Sequence, residues 1–367
     1  MRLFSVIGEA VQTIQSNESQ RKRLAEQLVF LREQGLKELN STEAPENQFI
    51  IPIQPSALNC RVCGGDSGFV SKSLHSIDLV LVRTVGVLFE YQNGIVTKTK
   101  YWPNFFDFPQ PFLSNHALDL DELNTSKSLL RLKEEIKMAK QMIESEKPDF
   151  CLLDGSLVPQ YMDKPRKDSK LAEEYHGLLD LFLELYQTAE QNNTELVGCV
   201  EDSRGSRFQS ILGETILPFF KKQKPLGLDF ILDSVLLDHV LQKNERSFAF
   251  PYTKSIKDHA ILQDFGLDWG NRLFACYLKP SELDRPLRIE FLHSPKKGSL
   301  TEHTNCIAST IGALSGLHRE YAYPSVLIEA DLRAHLKPEE IDVVFNKICD
   351  QLSKRVRMQL RRNSRPF

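Results

Sequence analysis

Apolar residues recur at helical spacing from the start of the chain. Leu3, Ile7, Val11 and Ile14 share one face, and Leu24, Leu28 and Leu31 resume the stripe beyond a polar stretch. Residues 1–45 are therefore expected to be an N-terminal helical segment, as one long or two short amphipathic helices. Such a segment either packs on the body of the protein or docks a partner, and the pattern alone does not separate the two. From Pro52 and Pro55 onward the sequence turns β-like. It predicts a short strand over Cys60–Asp66, a long one over Ile77–Tyr91 and a third over Ile95–Trp102. The Gln92-Asn93-Gly94 turn between the last two is a strong hairpin signal. A Pro/Phe-rich loop (103–113) follows, and then Leu129, Leu132, Ile136, Ala139 and Ile143 trace a helix that Lys147-Pro148 ends.

Beyond that helix lie a buried-type strand, Phe150–Leu153, a helix over 168–191 and a strand, Leu196–Val200. Residues 206–265 read as helices and loops broken by Pro218, Pro225 and Pro251. Strands over Leu273–Leu278 and Leu287–Leu292, a helix near 304–318, a segment from Tyr323 to Asp331 and a last helix over 338–361 complete the chain. Three antiparallel-compatible strands, then helix, strand, helix, strand is the order of an α/β, RNase H-like mixed sheet flanked by helices. The expected organisation is the N-terminal helical segment followed by one such domain over 50–367, with a basic C-terminal helix or tail. In that sheet the first and fourth strands are neighbours, which brings Asp66 and Asp154 together.

Composition narrows the picture only a little. A formal charge of −3 confines any nucleic-acid surface to a local patch, and Lys354, Arg355, Arg357, Arg361, Arg362 and Arg365 supply one candidate. No apolar run reaches the roughly 20 residues that span a bilayer, and the start of the chain lacks signal-peptide features. Seven scattered cysteines fit a reducing compartment, so a cytoplasmic location is expected. Cys60 and Cys63 form a Cys-x-x-Cys without a second pair, which reads as structural rather than as a zinc or redox site.

The chemistry is concentrated in two acidic turns, Gly64-Gly65-Asp66-Ser67-Gly68 and Leu152-Leu153-Asp154-Gly155-Ser156-Leu157. Each sets a carboxylate at the end of an apolar strand, where glycine lets a metal or phosphate approach the backbone. Two-metal phosphodiester cleavage needs several carboxylates around hard ions such as Mg²⁺ or Mn²⁺. Glu134 and Glu135, on the helix before Asp154, are candidates for a third ligand, and Glu201-Asp202 closes another strand that can reach the same edge. The same glycine-flanked aspartates also suit an ATP-binding phosphotransferase or ATPase of related topology.

Four blocks in order give the chain a resemblance to the NurA family of prokaryotic DNA-repair nucleases. They are Asp66-Ser67-Gly68 with the apolar strand after it, a glutamate-bearing helix leading to 152–157, the stretch Val197–Arg204, and Tyr323-Pro324-Ser325-Val326-Leu327-Ile328-Glu329-Ala330-Asp331. The resemblance implies metal ligands at Asp66, Glu135 (or Glu134 if the register is off by one) and Asp154, and places the family's tyrosine on Tyr323. The chain departs in three places: Asp-Ser-Gly for Asp-Gly-Ser, Glu201 where the family usually has lysine, and Asp331 in place of a histidine. Asp331 retains a metal ligand but lacks a neutral nitrogen donor, and His335, four residues on, is a possible substitute. Asp66, Glu135, Asp154, Tyr323 and Asp331 are accordingly the expected catalytic set. The resemblance further implies a manganese-dependent (or magnesium-dependent) deoxyribonuclease with two ions, active on single strands and in 5′ to 3′ resection of duplex ends. It also implies a homodimer working with a HerA-type hexameric ATPase. An inactive, DNA-guiding ring subunit is the remaining alternative.

Overall fold

The hairpin expected over Ile77–Trp102 forms, but the strand before it is nearly twice as long as its apolar run. The computed structural model of the chain describes residues 2–74, 77–105, 108–114, 118–225 and 227–352. In chain order the strands are β1 (Ile50–Pro52), β2 (Arg61–Ser73), β3 (Asp78–Gln92), β4 (Ile95–Trp102), β5 (Gln110–Ser114), β6 (Phe150–Asp154), β7 (Glu195–Val200), β8 (Glu245–Ser247), β9 (Phe250–Pro251), β10 (Leu273–Lys279) and β11 (Leu287–Leu292). The longer helices are α1 (Arg2–Glu26), α2 (Leu120–Glu146), α3 (Ala172–Gln191), α4 (Asp233–Val240), α5 (Leu300–Leu314), α6 (Ser325–Ala334) and α7 (Pro338–Gln351). The architecture is mixed α/β, with sheet flanked by helices, as the strand order predicted. The basic residues from Lys354 to Arg365, and the end expected for the last helix, lie outside the described residues.

The chain forms two compact units. One comprises residues 58–196, 260–265 and the chain from 325 onward. Its strands run in the order β6-β2-β3-β4, with β5 also on β3. β6 is parallel to β2, and the other pairings are antiparallel. This is the RNase H-like order: β6, the fourth strand once the edge strand β5 is set aside, lies beside β2, the first. β2 continues past Asp66 because β3 pairs with it all the way to Ser73↔Asp78. Its second half, with polar Ser67, Ser71 and Ser73, is a strand by pairing rather than by burial, which is why its apolar pattern underestimates its length. α2 begins at a capping box in which Asp119 accepts from the Glu122 N–H, and it ends at Lys147 in the left-handed region, φ 47°.

Glycines in β2 and β3 bring helices down hard on both faces. A Cβ at Gly64 would lie 2.8 Å from the Leu327 side chain of α6, and one at Gly86 would lie 2.6 Å from the Met142 sulfur of α2. Gly65, pointing opposite to Gly64 as alternation requires, faces Met138 and Met142. A Cβ at Gly68 would collide with the Ala334 carbonyl oxygen at the end of α6. β2 is thus clamped between α2 on one face and α6 on the other.

The second unit comprises residues 1–57, 197–259 and 266–324. Its strands follow the order β1-β8-β10-β11-β7 with β9 on β10, all antiparallel. The fully buried Arg246 donates through both Nη atoms to Glu46 at 2.7 Å, fixing the segment before β1 onto β8. Leu24, Ala25, Leu28 and Leu31 enter the core of this unit, whereas Phe4, Val6, Ile7, Val11 and Ile14 of α1 are exposed. Among the described residues no helix is long and apolar enough to cross a membrane.

Candidate active site

The parallel register of β2 and β6 ends at Gly65↔Leu153. The next residue on each strand is an aspartate, so Asp66 and Asp154 stand level on neighbouring strands, about 4.8 Å apart in the pairing direction. β6 stops at Asp154, and Gly155 turns the chain away at φ 126°, a conformation side chains rarely adopt. Asp66 is buried, and Asp154 is half-buried. The predicted meeting of the two acidic turns is therefore realised within one unit.

α2 adds the third carboxylate. Glu135 is 8% exposed and accepts hydrogen bonds from Ser67 Oγ at 2.7 Å and Arg131 Nη1 at 3.0 Å. Burial pushes its carboxyl up to about 7 from an ordinary 4.5, against the favourable charge of Arg131 and the Ser67 hydrogen bond. The charges of Asp66 and Asp154 push it further the same way. Glu134 instead pairs with Lys137 at 2.8 Å, so of the two adjacent glutamates it is Glu135 that joins the aspartates.

α6 adds the fourth. Asp331 is exposed, yet it lies close enough for its charge to raise Asp66. Burial is the largest cause of that rise, and the Ser67 N–H and Arg131 oppose it. Asp66, Glu135, Asp154 and Asp331 thus share one electrostatic neighbourhood, with Arg131 as its cation. Glu135 and Asp154 face a cavity of about 470 Å³, which Ser128, Arg131 and Asp163 also line.

The donor set is all oxygen, which suits a hard divalent ion. As placed, no three His, Cys, Asp or Glu side chains among the described residues are arranged to hold a metal. Oε1 of Glu135 is turned onto Ser67 and Arg131. Carboxylates this close raise one another's pKa when no cation lies between them, and a divalent ion would reverse that. The residues therefore fit the ion in donor type, while their present placement does not form a ligand set.

Tyr323 belongs to the second unit, where it is buried and its hydroxyl donates to the Cys199 carbonyl oxygen at 2.9 Å. Asp202, at φ 40°, is exposed in that unit and stands 3.6 Å from Arg285. His335 is exposed; its N–H closes the last turn of α6 on the Asp331 carbonyl, and its own carbonyl accepts from Arg83. Cys63 is buried opposite Cys151 across the β2–β6 pair, while Cys60 is half-buried. Sequence reasoning missed Ser67 and Arg131 as partners of Glu135. The i,i+4 spacing of Arg131 and Glu135 was an available signal.

The NurA domain model matches residues 60–336. Among solved structures, the NurA nuclease from Sulfolobus solfataricus matches with a TM-score of 0.60 at 14% identity, covering 97% of this chain and 98% of that chain. A NurA structure with manganese and one bound to dAMP and manganese match with TM-scores of 0.46 and 0.45 at 10% and 9% identity. They cover 95% and 96% of this chain and 98% and 97% of their own. A search of curated proteins returned no match. Because the family model spans most of the chain and includes all four carboxylates, this chain belongs to the NurA family.

Proposed function

We propose that the protein is a divalent-metal-dependent deoxyribonuclease in which Asp66, Glu135, Asp154 and Asp331 hold Mn²⁺ or Mg²⁺, two ions in all. The observation that carries this reading is the convergence of four carboxylates at the end of β6, inside the segment that matches the NurA domain. Bound ions would supply an activated water and stabilise charge on the scissile phosphate.

The chain's own residues prepare that chemistry. Glu135 holds a proton up to about pH 7, and it must lose that proton to act as a ligand. Ser67 Oγ and Arg131 donate to one of its oxygens, bonds that favour the carboxylate and strengthen once the proton is lost. Asp66 stands on the paired strand β2, and Asp154 ends β6. With Asp331 in place of a histidine, the reading gives the site oxygen donors alone and no imidazole to move a proton. Tyr323 has a structural part here, because its hydroxyl is committed to Cys199.

Family membership supports the finer reading: single-strand endonuclease and 5′ to 3′ exonuclease action in DNA end resection, as a cytoplasmic homodimer with a HerA-type ATPase. The test is incubation of the protein with labelled single-stranded and duplex DNA in Mn²⁺, Mg²⁺ or EDTA, alongside Asp66→Ala and Asp154→Ala. Metal-dependent digestion abolished in both variants is the expected result. No digestion in any metal, with or without the ATPase, would leave a DNA-guiding ring as the better account.

A further inference from the structure

The cavity that Glu135 and Asp154 face is hostile to an anion in all but one place. Asp121 and Asp163 line it too, so four carboxyl groups surround the space. Arg131 is the one cation among the described residues of that lining. Its charge acts on both Glu135 and Asp66. A backbone phosphate brought to these carboxylates therefore has a single protein cation to meet.

Arg131 is placed and equipped for that meeting. It precedes Glu135 by one turn of α2 and follows Ser128 by three residues, so the three share one helix face. Its side chain is 33% exposed while Glu135 is buried, which leaves the guanidinium open on the cavity side of the pair. Among the described residues its one hydrogen bond runs from Nη1 to Glu135 Oε1. A guanidinium carries five N–H donors, so the planar edge formed by Nε and Nη2 is uncommitted among those residues. That edge matches two oxygens of a phosphate. Helix stability gives little reason for the pair, because an arginine ahead of its glutamate is the weaker of the two orders.

We propose that Arg131 is a further catalytic residue, gripping a phosphate of the DNA strand with Nε and Nη2 beside Glu135. The proposal rests on the nuclease reading for its choice of ligand. Phosphodiester cleavage gathers negative charge on the phosphate oxygens, and a cation already fixed at that point stabilises it. A guanidinium stays charged at every working pH. Once a proton or an ion neutralises Glu135, the charge of Arg131 is left for the phosphate.

Two variants test this. Arg131→Gln keeps a donor for Glu135 and removes the cation, and Arg131→Lys keeps the charge and loses the fork. Calorimetry uses three probes: Mn²⁺ alone, then dTMP and thymidine in saturating Mn²⁺. Arg131→Gln is expected to bind Mn²⁺ severalfold more tightly, because a cation beside the carboxylates repels the ion. It should bind dTMP about tenfold more weakly, while thymidine, which has no phosphate, distinguishes the two proteins little. Its kcat on oligo(dT) should fall by about a hundredfold, with Arg131→Lys between it and wild type. Weaker Mn²⁺ binding by Arg131→Gln would make Arg131 a support for Glu135 and overturn the proposal, and so would an unaltered affinity for dTMP. DNA cleavage by wild type with dTMP affinity indifferent to Arg131 removes this assignment and leaves the nuclease. Binding of dTMP that depends on Arg131, in a protein that cuts no DNA, removes the nuclease and leaves the phosphate site.

Discussion

Replacing Glu135 by Gln should stabilise the metal-free protein while destroying the site. The substitution keeps a carbonyl oxygen to accept from Ser67 Oγ and Arg131 and removes a charge that burial makes costly. A carboxyl raised from 4.5 to about 7, at about 1.4 kcal/mol per pKa unit, costs the ionised fold roughly 3 kcal/mol. The sign follows from proton linkage. With the folded pKa above the unfolded one, the stability this group confers is fully present below about pH 4.5 and is lost as pH rises through about 7. Glu135→Gln should therefore match wild type near pH 4.5 and surpass it increasingly up to pH 8. There the gain should approach roughly 5 °C in melting temperature, after discounting for relaxation. Thermal melts in EDTA from pH 4.5 to 8.5 measure this directly. Addition of Mn²⁺ at pH 8 should then raise the wild-type melting temperature well above that of the variant. A variant that melts below wild type at pH 8 in EDTA, or a difference that does not grow with pH, would show that Glu135 is not a strained, ion-awaiting carboxylate.

Other perturbations separate site from scaffold. Calorimetric titration of Mn²⁺ in two buffers should show affinity rising, and a proton released, between pH 6 and 8, because Glu135 titrates at about 7; proton-neutral binding there would contradict the assignment. Asp331→Asn removes a charge that raises Asp66, so the Asp66 carboxyl should titrate at lower pH by carbon NMR. Gly68→Ala places a methyl against the Ala334 carbonyl and should cost about 1–3 kcal/mol in denaturant melts, together with activity, because α6 carries Asp331. Tyr323→Phe removes the hydrogen bond to the Cys199 carbonyl and should cost about 1 kcal/mol with cleavage retained.

The parts of the site legible in the sequence are those fixed by strand order. Asp66 and Asp154 each end an apolar run, and neighbouring first and fourth strands make them meet without further information. The choice of Glu135 over Glu134 needed the face of α2, which the neighbouring Ile136 suggested but did not settle. Ser67 left no distinct trace, since a serine on a strand is ordinary until packing buries a glutamate beside it. The i,i+4 spacing of Arg131 and Glu135, though a signal, is also common on solvated helix faces. β5 was hidden in a loop by Pro109 and Pro111, which depress strand propensity although an edge strand tolerates them. The run Val326-Leu327-Ile328 has no clear helical signature by itself, and α6 becomes a helix face only because Gly64 and Gly68 leave room for it.

The discontinuity of the unit that bears the carboxylates bears on how the protein is made. Its sheet and α2 are complete by residue 196, but α6, with Asp331, comes only after the whole second unit has been synthesised. A nascent chain emerging from the ribosome can thus fold β2, β3 and β6 around Asp66, Glu135 and Asp154 while one corner of the set is missing and the glycine face of β2 stands bare. Biosynthesis completes the acidic cluster late, so a truncated or stalled product carries the scaffold of the site without its last ligand.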